Sequence, residues 1–312
     1  MGDGYRVALL EDPLPSIDYE VDQNMSGFFE SFWSLNTPNH MLTTPSDALC
    51  HSICPLMVGE CNTPERIHDF SKLFKNASYW IAVTQIIIYI IMVMISDSPL
   101  HDGVIDPYTL IKYGALDPKK IIVNHQLWRI ITTHFMHGSF LHLSINLFIE
   151  LSFVIICESS WGTIKFLFSL LLSTICASFV SIYYYPKASC VGASSGLYGV
   201  YGSFISCFVL IIRTLLLKKV IGVLIITCAM FIILFASINQ NGIDTMGHIA
   251  GFVFGFFFGF ILFNNKISNY KNEILIGSII ICFFSILYPI VLVYKSIHIY
   301  SELIIENALV LF

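Results

Sequence analysis

Charge is what this sequence has least of. Only 12% of its 312 residues are Asp, Glu, Lys or Arg, against roughly a quarter in a soluble globular chain. With 56% hydrophobic residues and a mean hydropathy of +0.76, that scarcity excludes the ordinary soluble class. The net charge of -5 leaves no basic excess to meet phosphates, so no nucleic-acid partner is expected. Strictly alternating apolar positions, the mark of a membrane barrel, are also missing. Metal-ligand spacing is missing too. The nine cysteines are odd in number with no repeating interval. Cys50, Cys54 and Cys61 with His51 supply ligand types but match no zinc pattern. No metal and no organic cofactor is therefore expected. No apolar core lies near Met1 and no Arg-rich leader follows it, so neither a cleavable secretory leader nor mitochondrial import is expected. Arg6 stands where a myristoylated Gly2 would need Ser or Thr.

What the chain does have is long apolar runs, several of about 18 residues or more, enough to cross a hydrocarbon core as helices. Seven spans are predicted: Ser78 to Ile95, Gly138 to Cys157, Ile164 to Tyr185, Ser194 to Leu217, Val220 to Ala236, Met246 to Phe263 and Ile274 to Tyr294. The fold class is an all-α polytopic membrane protein. Residues 1–76 hold 11 acidic and 4 basic residues and six scattered prolines, and read as a largely disordered acidic tail. Residues 77–265 form the membrane core. Residues 266–312 add a C-terminal transmembrane helix and a short tail.

Short-loop cations set the orientation. Lys165, Arg213, Lys218, Lys219, Lys266 and Lys271 share a side with the N-terminus, which is thereby expected to be cytosolic. The starts of spans two, four and six then lie on the far side. His137, His142, Asn146, Ser194 and His248 consequently converge at one depth.

Ionisable groups inside spans are functional by default, and this set has a chemistry. A serine hydroxyl needs a base to take its proton. His248 is the histidine of the later spans at the right depth. His142 and Asn146, four apart on one helix face, could line an oxyanion hole with the serine amide, at a helix start that favours negative charge. Tyr198, four after Ser194, can pack on His248 in place of an orienting carboxylate. Gly251, Gly255 and Gly259 form a small-residue ridge on span six, facing Gly196, Gly199, Gly202 and Ser203 on span four. Each feature alone is ordinary packing; the serine and histidine on two closely approaching spans are more specific. Glu150 reads as a buried packing residue, and Cys190 as structural.

In residues 128–263 the chain resembles the rhomboid family of intramembrane serine proteases. Trp128-Arg129 is similar to that family's first-loop signature. His137 through His142 to Asn146 resembles its histidine-rich second span, and Glu158 with Gly162 its acidic residue and glycine after that span. Gly192-Ala193-Ser194 with Tyr198 resembles the nucleophile turn, and His248 with Gly251 and Gly255 the catalytic-histidine helix. The family turn usually reads Gly-x-Ser-Gly; here Ser195 replaces the last glycine. Ser194 keeps Gly192 and Tyr198 in register, whereas Ser195 keeps only Gly196, so Ser194 is the preferred nucleophile.

The resemblance implies a six-helix core and a Ser194–His248 dyad, with His142 and Asn146 at the oxyanion and Tyr198, Gly192, His137 and Gly251 in support. It implies single-span membrane proteins as substrates, cut within or beside their span in the lipid bilayer. A helix must unwind locally before attack, so small and helix-breaking residues are favoured. Substrates would reach the site between spans two and five, with Asn239 to Gly247 as a lid. A seventh span after the core resembles the eukaryotic secretory-pathway type, and the Ile, Phe and Asn bias hints at a protozoan parasite. The localisation implied is a secretory-pathway organelle or the plasma membrane. The rivals are an inactive rhomboid-like protein that binds membrane clients, favoured by Ser195, and a transporter, disfavoured because the polar cluster sits near one surface. Oligomeric state is open.

Overall fold

The computed structural model describes residues 74–96, 103–211, 224–225, 227–228, 243–264 and 271–309. Among them there are helices and two isolated bridges but no strand. The acidic tail up to residue 73, nearly all of predicted span five and residues 239–242 of the expected lid lie outside the described residues.

Helix α1 (Ala77–Ile95) is followed by three short helices, α2 (Pro107–Tyr113), α3 (Pro118–Ile122) and α4 (Arg129–Thr132). The second span is composite. It comprises α5 (Phe140–Ile149), a π turn at Glu150–Val154, and α6 (Ile155–Trp161). Then come α7 (Thr163–Tyr184), α8 (Ser194–Ile211), α9 (Thr245–Leu262) and α10 (Lys271–Leu309). Among the described residues five stretches are long and apolar enough to cross a membrane: Ala77–Ile95, Phe140–Trp161, Thr163–Tyr184, Thr245–Leu262 and Lys271–Lys295. The described part of α8 is a shorter apolar helix. The fold is all-α and polytopic, and the described starts of spans one, two, three, four and six lie within two residues of expectation. The last helix is described from Lys271, three residues before the expected start at Ile274.

Local chemistry sets the helix starts. Asp106, Asp117, Ser139 and Asp244 each accept a backbone N–H three residues on, satisfying an amide the helix cannot. Pro follows Asp106 and Asp117 at the first helical position, where its missing N–H costs nothing. Glu158 does the same across 80 residues of sequence. Its carboxylate accepts from the Ala77 and Ser78 amides at 2.7 and 2.8 Å, and from the Ser78 and Thr163 hydroxyls, both at 2.7 Å. It thereby caps α1 and ties it to the α6–α7 corner. Gly162, at φ +85°, makes that corner, a conformation that a side chain disfavours.

α7, α8 and α9 form the centre, whereas α1 and α10 expose Ile87, Ile90, Met94, Phe283, Phe284 and Tyr288. In a bilayer such faces meet lipid. α8 and α9 touch backbone to backbone: a Cβ on Gly251, Gly255 or Gly202 would overlap the carbonyl oxygen of Ser195, Gly199 or Phe252 respectively. Hydroxyls fasten the same contact. Ser203 Oγ donates to Gly255 O at 2.8 Å, and Ser169 lies 2.8 Å from Ser203 Oγ.

The connection from α1 to α5 folds back over one end of the helices. Arg129 anchors it. Its guanidinium is buried, donating to Ile111 O at 2.8 Å, Ala115 O at 2.9 Å and Gln126 Oε1 at 2.7 Å, and it stacks on Trp128. The carbonyls at the end of α2 thus gain partners, and the planar fork suits that task better than a lysine would.

Candidate active site

The turn before α8 is where the chain's polar groups meet. Gly192 takes φ +131° and donates its N–H to Thr133 O at 3.0 Å. Ala193 is fully buried, and Ser194 opens the helix. Ser194 Oγ lies 2.6 Å from His248 Nε2. The Gly251 and Gly255 contacts hold α8 and α9 together next to this pair, His248 lying one turn before Gly251 on α9.

The His248 ring packs against Tyr198, centroids 4.9 Å apart and tilted 33°. Its Nδ1 has no hydrogen-bond partner among the described residues, so no carboxylate orients the ring there. Asp244, one turn earlier, does not fill that role. Its carboxylate caps Gly247 N at 2.8 Å and its Oδ2 meets Cys190 Sγ at 3.7 Å. Burial pushes the Asp244 carboxyl above its ordinary value, with the Gly247 N–H opposing.

His142 lies on the other side of the serine. A Cβ on Gly192 would stand 2.8 Å from both His142 Nε2 and Cε1, and 3.7 Å from Ser194 Oγ, so glycine there leaves room for the imidazole beside the serine. Asn146 is buried, and its Nδ2 donates to His142 O at 3.0 Å. The amide has a second hydrogen to offer. His137 meets His142 edge to face, centroids 5.1 Å apart. Burial, with His142 and His134 nearby, pushes His137 down to about 2. Burial pushes His134 down to about 4. Both are neutral at physiological pH and serve as packed rings. Ser195 lies next to the dyad, and its carbonyl is the one in contact with Gly251. Glu150 is away from this cluster, buried beside Gln85 of α1.

A small cavity opens at Ser194 and His248. Its other walls include Leu116, Thr133, Ser178, Cys190, Ser195 and Asp244. Sequence reasoning missed Asp244 and Thr133. The Asp244–Gly247 spacing is a readable helix-start signal, but nothing in it points toward the serine turn. Among the described residues no cluster of His, Cys, Asp or Glu is suited to a metal ion.

Comparison with known proteins matches residues 124–265 to the rhomboid domain family. Rhomboid-like protease 3 of Toxoplasma gondii is 35% identical over 176 residues, covering 56% of this chain and 64% of that protein. The mitochondrial RHOMBOID-like protein 6 of Arabidopsis thaliana is 37% identical over 98 residues, 31% of this chain and 32% of its own length. Inactive RHOMBOID-like protein 8, also of Arabidopsis thaliana, is 29% identical over 145 residues, 46% of this chain and 41% of its own. The chain spans less than two thirds of each of these relatives.

Proposed function

We propose, from the match of residues 124–265 to the rhomboid domain family, that this chain is an intramembrane serine endopeptidase. The observation that carries this reading is the 2.6 Å approach of Ser194 Oγ to His248 Nε2, within the reach of a general base. Ser194 Oγ attacks the scissile carbonyl carbon while His248 Nε2 takes the hydroxyl proton. The tetrahedral oxyanion is met by the Ser194 amide, His142 and Asn146, each donor lowering the barrier by about 3 kcal/mol on mutational precedent. His248 returns the proton to the leaving amine as the C–N bond breaks. Water, deprotonated by the same nitrogen, then hydrolyses the acyl-serine. Tyr198 holds the imidazole in plane with this task. Gly192 leaves space for His142, and His137 supports the His142 ring. Gly251 lets α9 reach the serine turn.

The substrates are single-span membrane proteins cut within or beside their span in the bilayer. The tail (1–76) is cytosolic, the core (77–265) catalytic, and 266–312 an accessory helix. The membrane is that of a secretory-pathway organelle or the cell surface. One feature favours a second reading, an inactive client-binding protein: Ser195 adds a side chain to the cavity at the site where the family turn has glycine.

The test is cleavage of a tagged single-span substrate by purified protein in liposomes, with fluorophosphonate labelling alongside. Loss in Ser194→Ala and His248→Ala with retention in Ser195→Ala supports the dyad. Loss in Ser195→Ala and retention in Ser194→Ala moves the nucleophile by one residue. Neither cleavage nor labelling supports the client-binding reading.

A further inference from the structure

We propose that, within the small-residue preference the family resemblance already implies, Asp244 selects for a hydroxyl on the acyl side of the cut bond, so serine over alanine. This rests on the Ser194–His248 proteolytic reading and adds a specificity determinant to it. The side chain of the residue acylating Ser194 must lodge next to that serine, and the cavity there is walled by Asp244.

Size and wall chemistry act together. The cavity encloses about 20 Å³, little more than the space of one water-sized group. Phenylalanine, leucine or lysine would have to displace the Thr133, Ser178 and Cys190 walls. Within the small residues, the walls discriminate by hydrogen bonding. Thr133 Oγ1 donates to Cys190 O at 2.9 Å, which leaves it only the weaker acceptor capacity of a neutral hydroxyl oxygen. Asp244 Oδ1 is committed to Gly247 N. Oδ2 meets the Cys190 thiol at 3.7 Å, a weak donor, and Cys190 in turn lies 3.3 Å from Ser181 Oγ behind it. A carboxylate has about four lone-pair sites, so Oδ2 keeps capacity for a stronger donor. A substrate hydroxyl supplies one. A substrate methyl instead leaves a polar wall facing carbon, and sites built to bond a hydroxyl reject the analogue lacking it. Because one oxygen is involved, and it is shared with a thiol, the expected discrimination is about tenfold, well below that of a fully built hydroxyl site.

The experiment uses the full chain in liposomes with single-span substrates that differ only in the residue before the cut, Ser, Ala or Phe, the cut position being read by mass spectrometry. The wild type is expected to show a Ser-to-Ala ratio in kcat/KM of about ten, with Phe turned over least. In Asp244→Leu no hydrogen-bonding atom remains on that wall, so the ratio falls toward one. Each ratio is taken within one protein, so loss of folded enzyme cancels. Cys190→Ala removes the competing thiol and is expected to hold or raise the ratio. A wild-type ratio near one overturns the proposal without any variant. So does an unchanged ratio in Asp244→Leu, or a collapse in Cys190→Ala. If Ser194 takes the fluorophosphonate label yet serine is not preferred, only this inference fails. If no substrate is cut and no label is taken, the proteolytic reading fails and this one with it.

Discussion

Gly255→Ala tests whether the serine–histidine distance is set by backbone contact between α8 and α9. A Cβ on Gly255 would stand 2.6 Å from Gly199 C and 2.7 Å from Gly199 Cα, in addition to overlapping the Gly199 carbonyl oxygen. These are backbone atoms of a central helix, and no rotamer change can relieve them. Restoring a normal carbon–carbon separation of about 3.5 Å requires the helices to part locally by about 1 Å. Ser194 and His248 sit on those two helices one to two turns away and begin at 2.6 Å. Opening by even half that amount brings them to the edge of the roughly 3.2 Å reach of a general base. A misplacement of about 1 Å in a reacting pair lowers turnover on the order of 100-fold. Overpacking also lowers stability by about 1 to 3 kcal/mol. The assay is liposome cleavage with fluorophosphonate labelling of Ser194, and thermal unfolding in detergent as a separate readout. Gly277→Ala is the control, since a Cβ there has nothing within 4 Å. Gly255→Ala within threefold of wild type in both turnover and labelling would refute the argument.

Two further outcomes follow from buried groups. Glu158→Ala removes an acceptor of four hydrogen bonds and is expected to destabilise by about 3 kcal/mol or more, since each bond to a charged group carries roughly 1.5 to 3; an unchanged melting midpoint in detergent would contradict the capping role. His134 and His137 are pushed below their ordinary 6.5 to about 4 and about 2, so below pH 6.5 the unfolded chain binds more protons than the folded one. Stability is then full above that pH and falls as the pH drops toward 4, by up to about 1.4 kcal/mol per pH unit for each ring. Melting curves from pH 7 to 4.5 should show that loss, with a shallower slope in His137→Gln; a slope identical to wild type would mean that His137 is not buried neutral.

The sequence alone determined the class and the inventory of this protein. Apolar run length is a local property, so the all-α polytopic fold and the five described span starts were legible without coordinates. So were the groups worth watching, because a serine, histidines and an asparagine inside apolar spans are expensive unless partnered. Glu158 and Arg129 were visible only as motif residues, and their tasks were not. One caps a helix 80 residues upstream, and the other closes the end of α2, and both are decided by which chain ends happen to meet. Asp244 could be recognised as a helix start, but not as the wall of a cavity beside a serine 50 residues earlier. The tertiary structure alone decided the 2.6 Å approach of Ser194 to His248, the placing of His142 over Gly192, and the size of the space between them. The reason is that periodicity reports which face a residue occupies. Distance between faces depends on whether backbones can touch, and that depends on the fit of Gly251, Gly255 and Gly202 against opposing carbonyls in three dimensions.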